Sequence, residues 1–272
     1  MPGLSLRKPS PGRLRKGWTM HEEKAMRVGL FVPCYVDAFH PDVGIATLEL
    51  LERFGVEVDY PFDQTCCGQP MTNSGCHAES AATEALFVKN FQDYDYIVAP
   101  SGSCVHHVRY NLDAIAQTDA VRKVRRSTFD LVEFLHDVLK VEAFPWAEFA
   151  HRVAYHNNCN ALRGLGHASM SELRVEPFSK LLDLLRKVRG LEVVQLARPD
   201  ECCGFGGTFS VFEEGVSSKM GHDKVRDQSQ SGAEYVVSAD SSCMMHQQGC
   251  AERAGVPMKY IHIAQVLNGA PA

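Results

Sequence analysis

No stretch of this 272-residue chain approaches the roughly 18–20 consecutive apolar residues that a membrane-spanning helix needs. The basic N-terminal stretch, with Arg7, Lys8, Arg13, Arg15 and Lys16, contains no apolar segment of the secretory kind. An excess of positive charge is also missing. The net charge is −5, which argues against a general affinity for nucleic acid or for an anionic membrane surface. Two further absences concern chemistry. The ferredoxin run C-x-x-C-x-x-C-x-x-x-C-P does not occur. The run Gly204-Phe205-Gly206-Gly207 is not a dinucleotide fingerprint, because its spacing fails and a cysteine pair occupies the turn.

Cysteine, by contrast, is plentiful, with ten residues. Without an export signal the expected location is cytoplasmic, where disulfides are rare. Cysteines in patterned groups there more often bind metal or carry out redox chemistry. Residues 1–25 read as a disordered extension, and the first core strand is expected just after Met26.

The remainder of the chain repeats itself. RVGLFVPC (27–34) and RVAYHNNC (152–159) each read as a short apolar strand ending in cysteine. An amphipathic helix follows each, over about 44–54 and about 177–188. In the second, Phe178, Leu181, Leu182, Leu185 and Val188 fall on one face, and Pro177 suits the first turn. Glycine then leads into second strands at 56–60 and 191–196. These run to Cys66-Cys67-Gly68 and Cys202-Cys203-Gly204. After another helical stretch come third strands, 94–99 and 233–238, each followed by a polar turn and one cysteine, Cys104 or Cys243. Between the halves, residues 129–139 read as a helix.

Strands alternating with helices imply an α/β fold of two pseudo-repeated βαβ, Rossmann-like halves with parallel sheets. The cysteine motifs fall in loops at strand C-terminal ends, where open α/β sheets build their sites. The expected domains are 26–150, a first repeat with a helical linker, and 151–272, a second repeat.

Eight cysteines recur in the same order: Cys34, Cys66, Cys67 and Cys104, then Cys159, Cys202, Cys203 and Cys243. Thiolates are soft donors that suit iron–sulfur clusters and zinc alike, and four per site meet the need of either. Residue types alone leave both metals open. Adjacent cysteines demand a sharp bend, which Gly68 and Gly204 permit beside a bulky cofactor. Cys76 and Cys250 fall outside the pattern and read as spare thiols. Arg163, after Cys159, is the one cation worth testing as a carboxylate partner. His156, three residues before Cys159, reads as a polar strand-end histidine or a neighbour of the site.

With their flanking stretches CCGQP (66–70), PSGSC (100–104) and CCGFGGTFSV (202–211), these cysteines resemble the CCG cysteine-rich domain. That domain occurs in heterodisulfide reductase and in the iron–sulfur component of glycolate oxidase. The resemblance covers about residues 27–267 and is strongest to the short, two-repeat lactate-utilisation family. It implies a non-catalytic electron-transfer subunit of an L-lactate dehydrogenase complex, or one acting on a similar 2-hydroxy acid; the alternatives are a zinc-binding structural subunit or a cluster-binding scaffold of the same complex. It also implies one 4Fe–4S cluster per repeat, with zinc at one site as the alternative. The implied partners are the other subunits of the complex, including a ferredoxin-type iron–sulfur protein through which membrane association would arise. The chain departs from the fullest motif, which ends in C-x-x-C. Ser101 and Asp240 stand where the first of those cysteines would be, as extra oxygen ligands to consider, and Asn160 stands where histidine is usual.

Overall fold

The computed structural model describes residues 26–269, so the 1–25 extension lies outside the described residues. Two four-stranded, all-parallel sheets form the frame. The first contains β1 (Arg27–Leu30), β2 (Glu57–Asp59), β3 (Tyr96–Ala99) and β4 (Thr128–Asp130), in the order β2-β1-β3-β4. The second contains β5 (Arg152–His156), β6 (Glu192–Val193), β7 (Tyr235–Ser238) and β8 (Lys259–His262), in the matching order β6-β5-β7-β8. Beyond their first residues β1 and β3 are buried throughout, and β7 is buried along its whole length, as parallel strands covered on both faces must be. In both sheets the order reverses between the first and third strands. That reversal opens a crevice beyond their C-terminal ends.

The two fourth strands are additions to the sequence reading. The segment expected as a helix over 129–139 begins instead as β4, with Ile97 paired to Thr128 and Ala99 to Asp130. It turns helical only at Leu131, continuing to Val138. Three residues are too short to show a strand period against an apolar helical signal. Other boundaries shift as well. β1 stops at Leu30, and Cys34 opens a helix, Cys34–Phe39, rather than ending a strand. The helix expected over 177–188 spans only Lys180–Leu185. Backbone pairing of Ser169 with Phe178 holds the preceding residues extended, and Phe178 is exposed rather than part of the apolar face. Ser179 then caps the helix through the Leu182 amide.

The halves share one core. A single apolar cluster joins Val28, Leu50, Leu51 and Val98 to Val153, Leu184, Leu185 and Val266. The contacts between halves are reciprocal. Helix Ile263–Asn268 packs on helix Pro41–Arg53, and the segment after β4 packs on helix Lys180–Leu185. Nearer the sheet ends, helix Cys34–Phe39 meets helix Ser241–Ala254, and helix Gly102–Tyr110 meets the turn Asn160–Gly164. The C-terminal ends of both sheets therefore converge on one place. Among the described residues no helix is long and apolar enough to cross a membrane.

Candidate metal centre

The eight patterned cysteines all line one cleft of about 310 Å³ where the sheet ends converge. Cys34 follows β1, Cys66 and Cys67 follow β2, and Cys104 lies in the first turn of helix Gly102–Tyr110 after β3. Cys159, Cys202, Cys203 and Cys243 occupy the matching places after β5, β6 and β7. Cys34 and Cys66 bring their sulfurs to 3.7 Å. In both CCG turns the glycine amide donates to the first cysteine of the pair at 3.4 Å, Gly68 to Cys66 and Gly204 to Cys202. Both glycines have φ near +90°, a conformation that L side chains rarely adopt.

The sulfurs of each set compete for protons. Cys66 is pushed down to about 2 by hydrogen bonds from Cys34 and Cys67, with the Gly68 amide adding to the effect. Cys202 is pushed down to about 2 in the same way by Cys159 and Cys203. The neighbours move oppositely. Cys34 and Cys159 are raised by their hydrogen bonds to those sulfurs and then by burial. Cys67 and Cys203 are raised well above the usual thiol range by adjoining cysteines and burial. Four such groups cannot all ionise side by side without a counter-charge. A metal cation supplies one and displaces the protons, so the donor chemistry fits a thiolate-bound metal or cluster.

Ser101 and Asp240, weighed from the sequence as extra ligands, have a structural part. Each is the N-cap of the helix that carries the last cysteine of its set: Ser101 accepts from the Cys104 amide and Asp240 from the Ser242 amide. The two residues also form an antiparallel bridge between the halves. Asp240 is buried and its carboxylate is saturated. Oδ2 accepts from Ser101 Oγ (3.3 Å), Ser103 N (3.1 Å), Ser103 Oγ (2.7 Å) and Asn158 Nδ2 (2.9 Å). Oδ1 accepts from Ser242 N (3.2 Å) and Ser242 Oγ (2.6 Å). Its part is to hold the two sets together, a role that sequence spacing does not reveal.

The spare cysteines stand apart. Cys76 is exposed at the start of helix His77–Phe91, and Cys250 is buried 4.0 Å from His246 Nε2; neither lines the cleft. Arg163 is likewise absent from the cleft lining, because its guanidinium is paired with Glu172 at 2.9 Å. Two fully buried histidines flank the cysteines instead. Burial pushes His107 down to about 4 and His156 down to about 3, so both are neutral.

Comparison with known proteins places both cysteine-bearing stretches in one family. The CCG cysteine-rich domain profile matches residues 28–109 and 153–248. Lactate utilization protein A from Halalkalibacterium halodurans is 40% identical over 247 residues, covering 89% of this chain and 97% of that protein. Its namesake from an Exiguobacterium species is 44% identical over 248 residues, covering 89% and 96%. Likeness to solved structures is distant. Glutamate racemase RacE1 from Bacillus anthracis aligns over 90% of this chain and 80% of its own, at 10% identity and a TM-score of 0.33.

Proposed function

This chain belongs to the CCG cysteine-rich domain family, and from that premise we propose that it is an iron–sulfur electron-transfer subunit of a complex that oxidises L-lactate or a similar 2-hydroxy acid. The carrying observation is that two like sets of four cysteines open on one cleft. In this reading Cys34, Cys66, Cys67 and Cys104 hold one metal group within the repeat 26–150. Cys159, Cys202, Cys203 and Cys243 hold the other within 151–272. Bound 4Fe–4S clusters would supply one-electron redox chemistry at each set. A 2-hydroxy acid gives up two electrons and two protons on becoming a 2-oxo acid, and two one-electron sites in a single cleft match that count.

The chain's own residues do the positioning. Gly68 and Gly204 make the bends that turn both cysteines of each pair inward, and their amides donate toward sulfur. Ser101 and Asp240 fix the helix starts from which Cys104 and Cys243 project. The name carried by the relatives, lactate utilization protein A, supports the substrate class. The partners in this reading are the other subunits of the complex, including a ferredoxin-type protein, since this chain lacks the ferredoxin run.

Anaerobic purification followed by iron, sulfide and zinc analysis tests the reading. About eight irons with matching sulfide, and visible absorption bleached by lactate through the partner subunits, are expected. Stoichiometric zinc without iron, persisting after reconstitution with iron and sulfide, would make the chain a structural zinc protein. Cys67→Ser and Cys203→Ser should each remove about half of the iron, because each breaks one four-thiolate set. Cys76→Ser should leave the metal content unchanged, and a loss of iron there would redraw the ligand sets.

A further inference from the structure

The cysteine sets repeat, but their surroundings do not. In the second set, His156, Cys203 and Cys243 place a ring nitrogen and two sulfurs within 4.8 Å of one another. His156 is fully buried, and neither ring nitrogen has a hydrogen-bond partner. Buried polar groups are nearly always paired, so an orphan beside two thiols points to an acceptor still to be bound. The first set also has a buried, unpartnered histidine, His107, but it lies behind Gly68, with Nε2 3.6 Å from where a Cβ there would sit, and among the described residues only His156 is gathered with two sulfurs in this way. Phe31 stands three residues before Cys34, as His156 stands three before Cys159, and its ring packs edge-on against Phe87.

The charges behind the two CCG turns differ as well. Behind the first lies the buried carboxylate Glu84, whose Cγ is 3.6 Å from where a Cβ on Gly68 would sit. It accepts from Ser80 Oγ at 2.9 Å and from the Ala114 amide at 2.9 Å. Behind the second lies the fully buried Lys224. Its Nζ donates to the Arg198 carbonyl at 2.8 Å and approaches that of Pro199 at 3.5 Å, in the loop leading to Cys202.

We infer that His156 donates a hydrogen bond to the sulfur of the metal group in the second cysteine set, and that the second site therefore holds an electron at a higher potential than the first. This rests on the reading that each set holds an iron–sulfur cluster. Four cysteines already meet the terminal-ligand need of four irons, which leaves the imidazole to act through an N–H. Either neutral tautomer carries one. An N–H aimed at sulfur stabilises an added electron, and so does a buried ammonium group, whereas a buried carboxylate opposes it. At the first set His107 alone acts in favour of an added electron and Glu84 opposes it, whereas at the second His156, gathered with two sulfurs, and Lys224 act together, so the second site is where an electron comes to rest.

The test is an EPR-monitored redox titration of the full chain, reconstituted anaerobically with iron and sulfide, for the wild type, His156→Leu and His156→Gln. The melting temperatures of the metal-free proteins are measured alongside. The wild type should show two reduction waves. His156→Leu should keep its iron and sulfide, lower the upper wave and leave the lower one in place. His156→Gln, which retains an N–H donor, should shift the upper wave less. Metal-free His156→Leu should melt above the metal-free wild type, because the orphaned nitrogens are gone. An upper wave unmoved in both variants overturns the inference, as does a metal-free leucine variant that melts lower. Loss of half the iron from His156→Leu also overturns it, by making the imidazole a ligand. A wild type that takes up no iron removes the cluster reading itself, and this is read before any variant is made.

Discussion

Replacing Asp240 with asparagine should lower the stability of the metal-free chain by about 2–3 kcal/mol, and replacing it with alanine by about 4–5 kcal/mol. The reason lies in which of its donors can adapt. The hydroxyls of Ser101, Ser103 and Ser242 can rotate and become acceptors. The amides of Ser103 and Ser242 cannot, and Asn158 is locked because its Oδ1 already accepts from the Ala161 amide at 2.6 Å. An asparagine NH₂ at the Oδ1 position would face the Ser242 amide, and at the Oδ2 position it would face Ser103 N–H and Asn158. One buried donor is left without an acceptor in the better of the two orientations. Alanine leaves all of them unmet and removes the cap of helix Ser241–Ala254. Denaturant unfolding of the three proteins measures this. Equal midpoints would mean that the carboxylate does not join the halves. Ser101→Ala should cost only about 0.5–1 kcal/mol, because its cap to the Cys104 amide is long, at 3.5 Å.

The two CCG glycines should respond to alanine very differently. Both carry positive φ, Gly68 at +96° and Gly204 at +90°. Strain alone costs about 1–2 kcal/mol. At Gly68 the added methyl meets only ordinary contacts, with Glu84 Cγ and His107 Nε2 each at 3.6 Å. At Gly204 it would stand 2.6 Å from the Ser217 carbonyl oxygen and 2.7 Å from Met220 Cβ. The first of these is helix backbone, and Ser217 Oγ further ties that helix to the Gly204 carbonyl at 2.8 Å. Helix Glu214–Gln230 or the CCG turn must therefore move. Gly204→Ala should cost about 4 kcal/mol or more and strip metal from the second set, while Gly68→Ala should fold and keep metal in both. Thermal melts with iron analysis decide this. Comparable losses in the two variants would show that helix Glu214–Gln230 yields more easily than its packing suggests.

The repeat, the parallel α/β class and the eight-cysteine pattern were all legible in the chain as written. Apolar strands ending near a cysteine, glycine after a cysteine pair, and the return of both in order are local signals, and local signals survive in one dimension. Strand and helix limits were less legible where tertiary pairing competes with propensity. β4 forms because β3 has an open edge beside Thr128–Asp130, which no periodicity over three residues announces. Helix Lys180–Leu185 starts late because Ser169 holds Phe178 in extended pairing across an intervening loop.

By itself the sequence determined that two like sets of four thiols would exist, each following the ends of parallel strands. Only the tertiary structure decided that both sets face one cleft, because that depends on reciprocal packing of helices distant in the chain. Only there does Asp240 become the acceptor joining the halves, since its donors from Ser101, Ser103 and Asn158 come from remote segments. The orphaned imidazole of His156 is also a tertiary fact. Its neighbours Cys203 and Cys243 arrive on separate crossovers, and burial, which sequence does not measure, turns a strand-end histidine into a group without a partner.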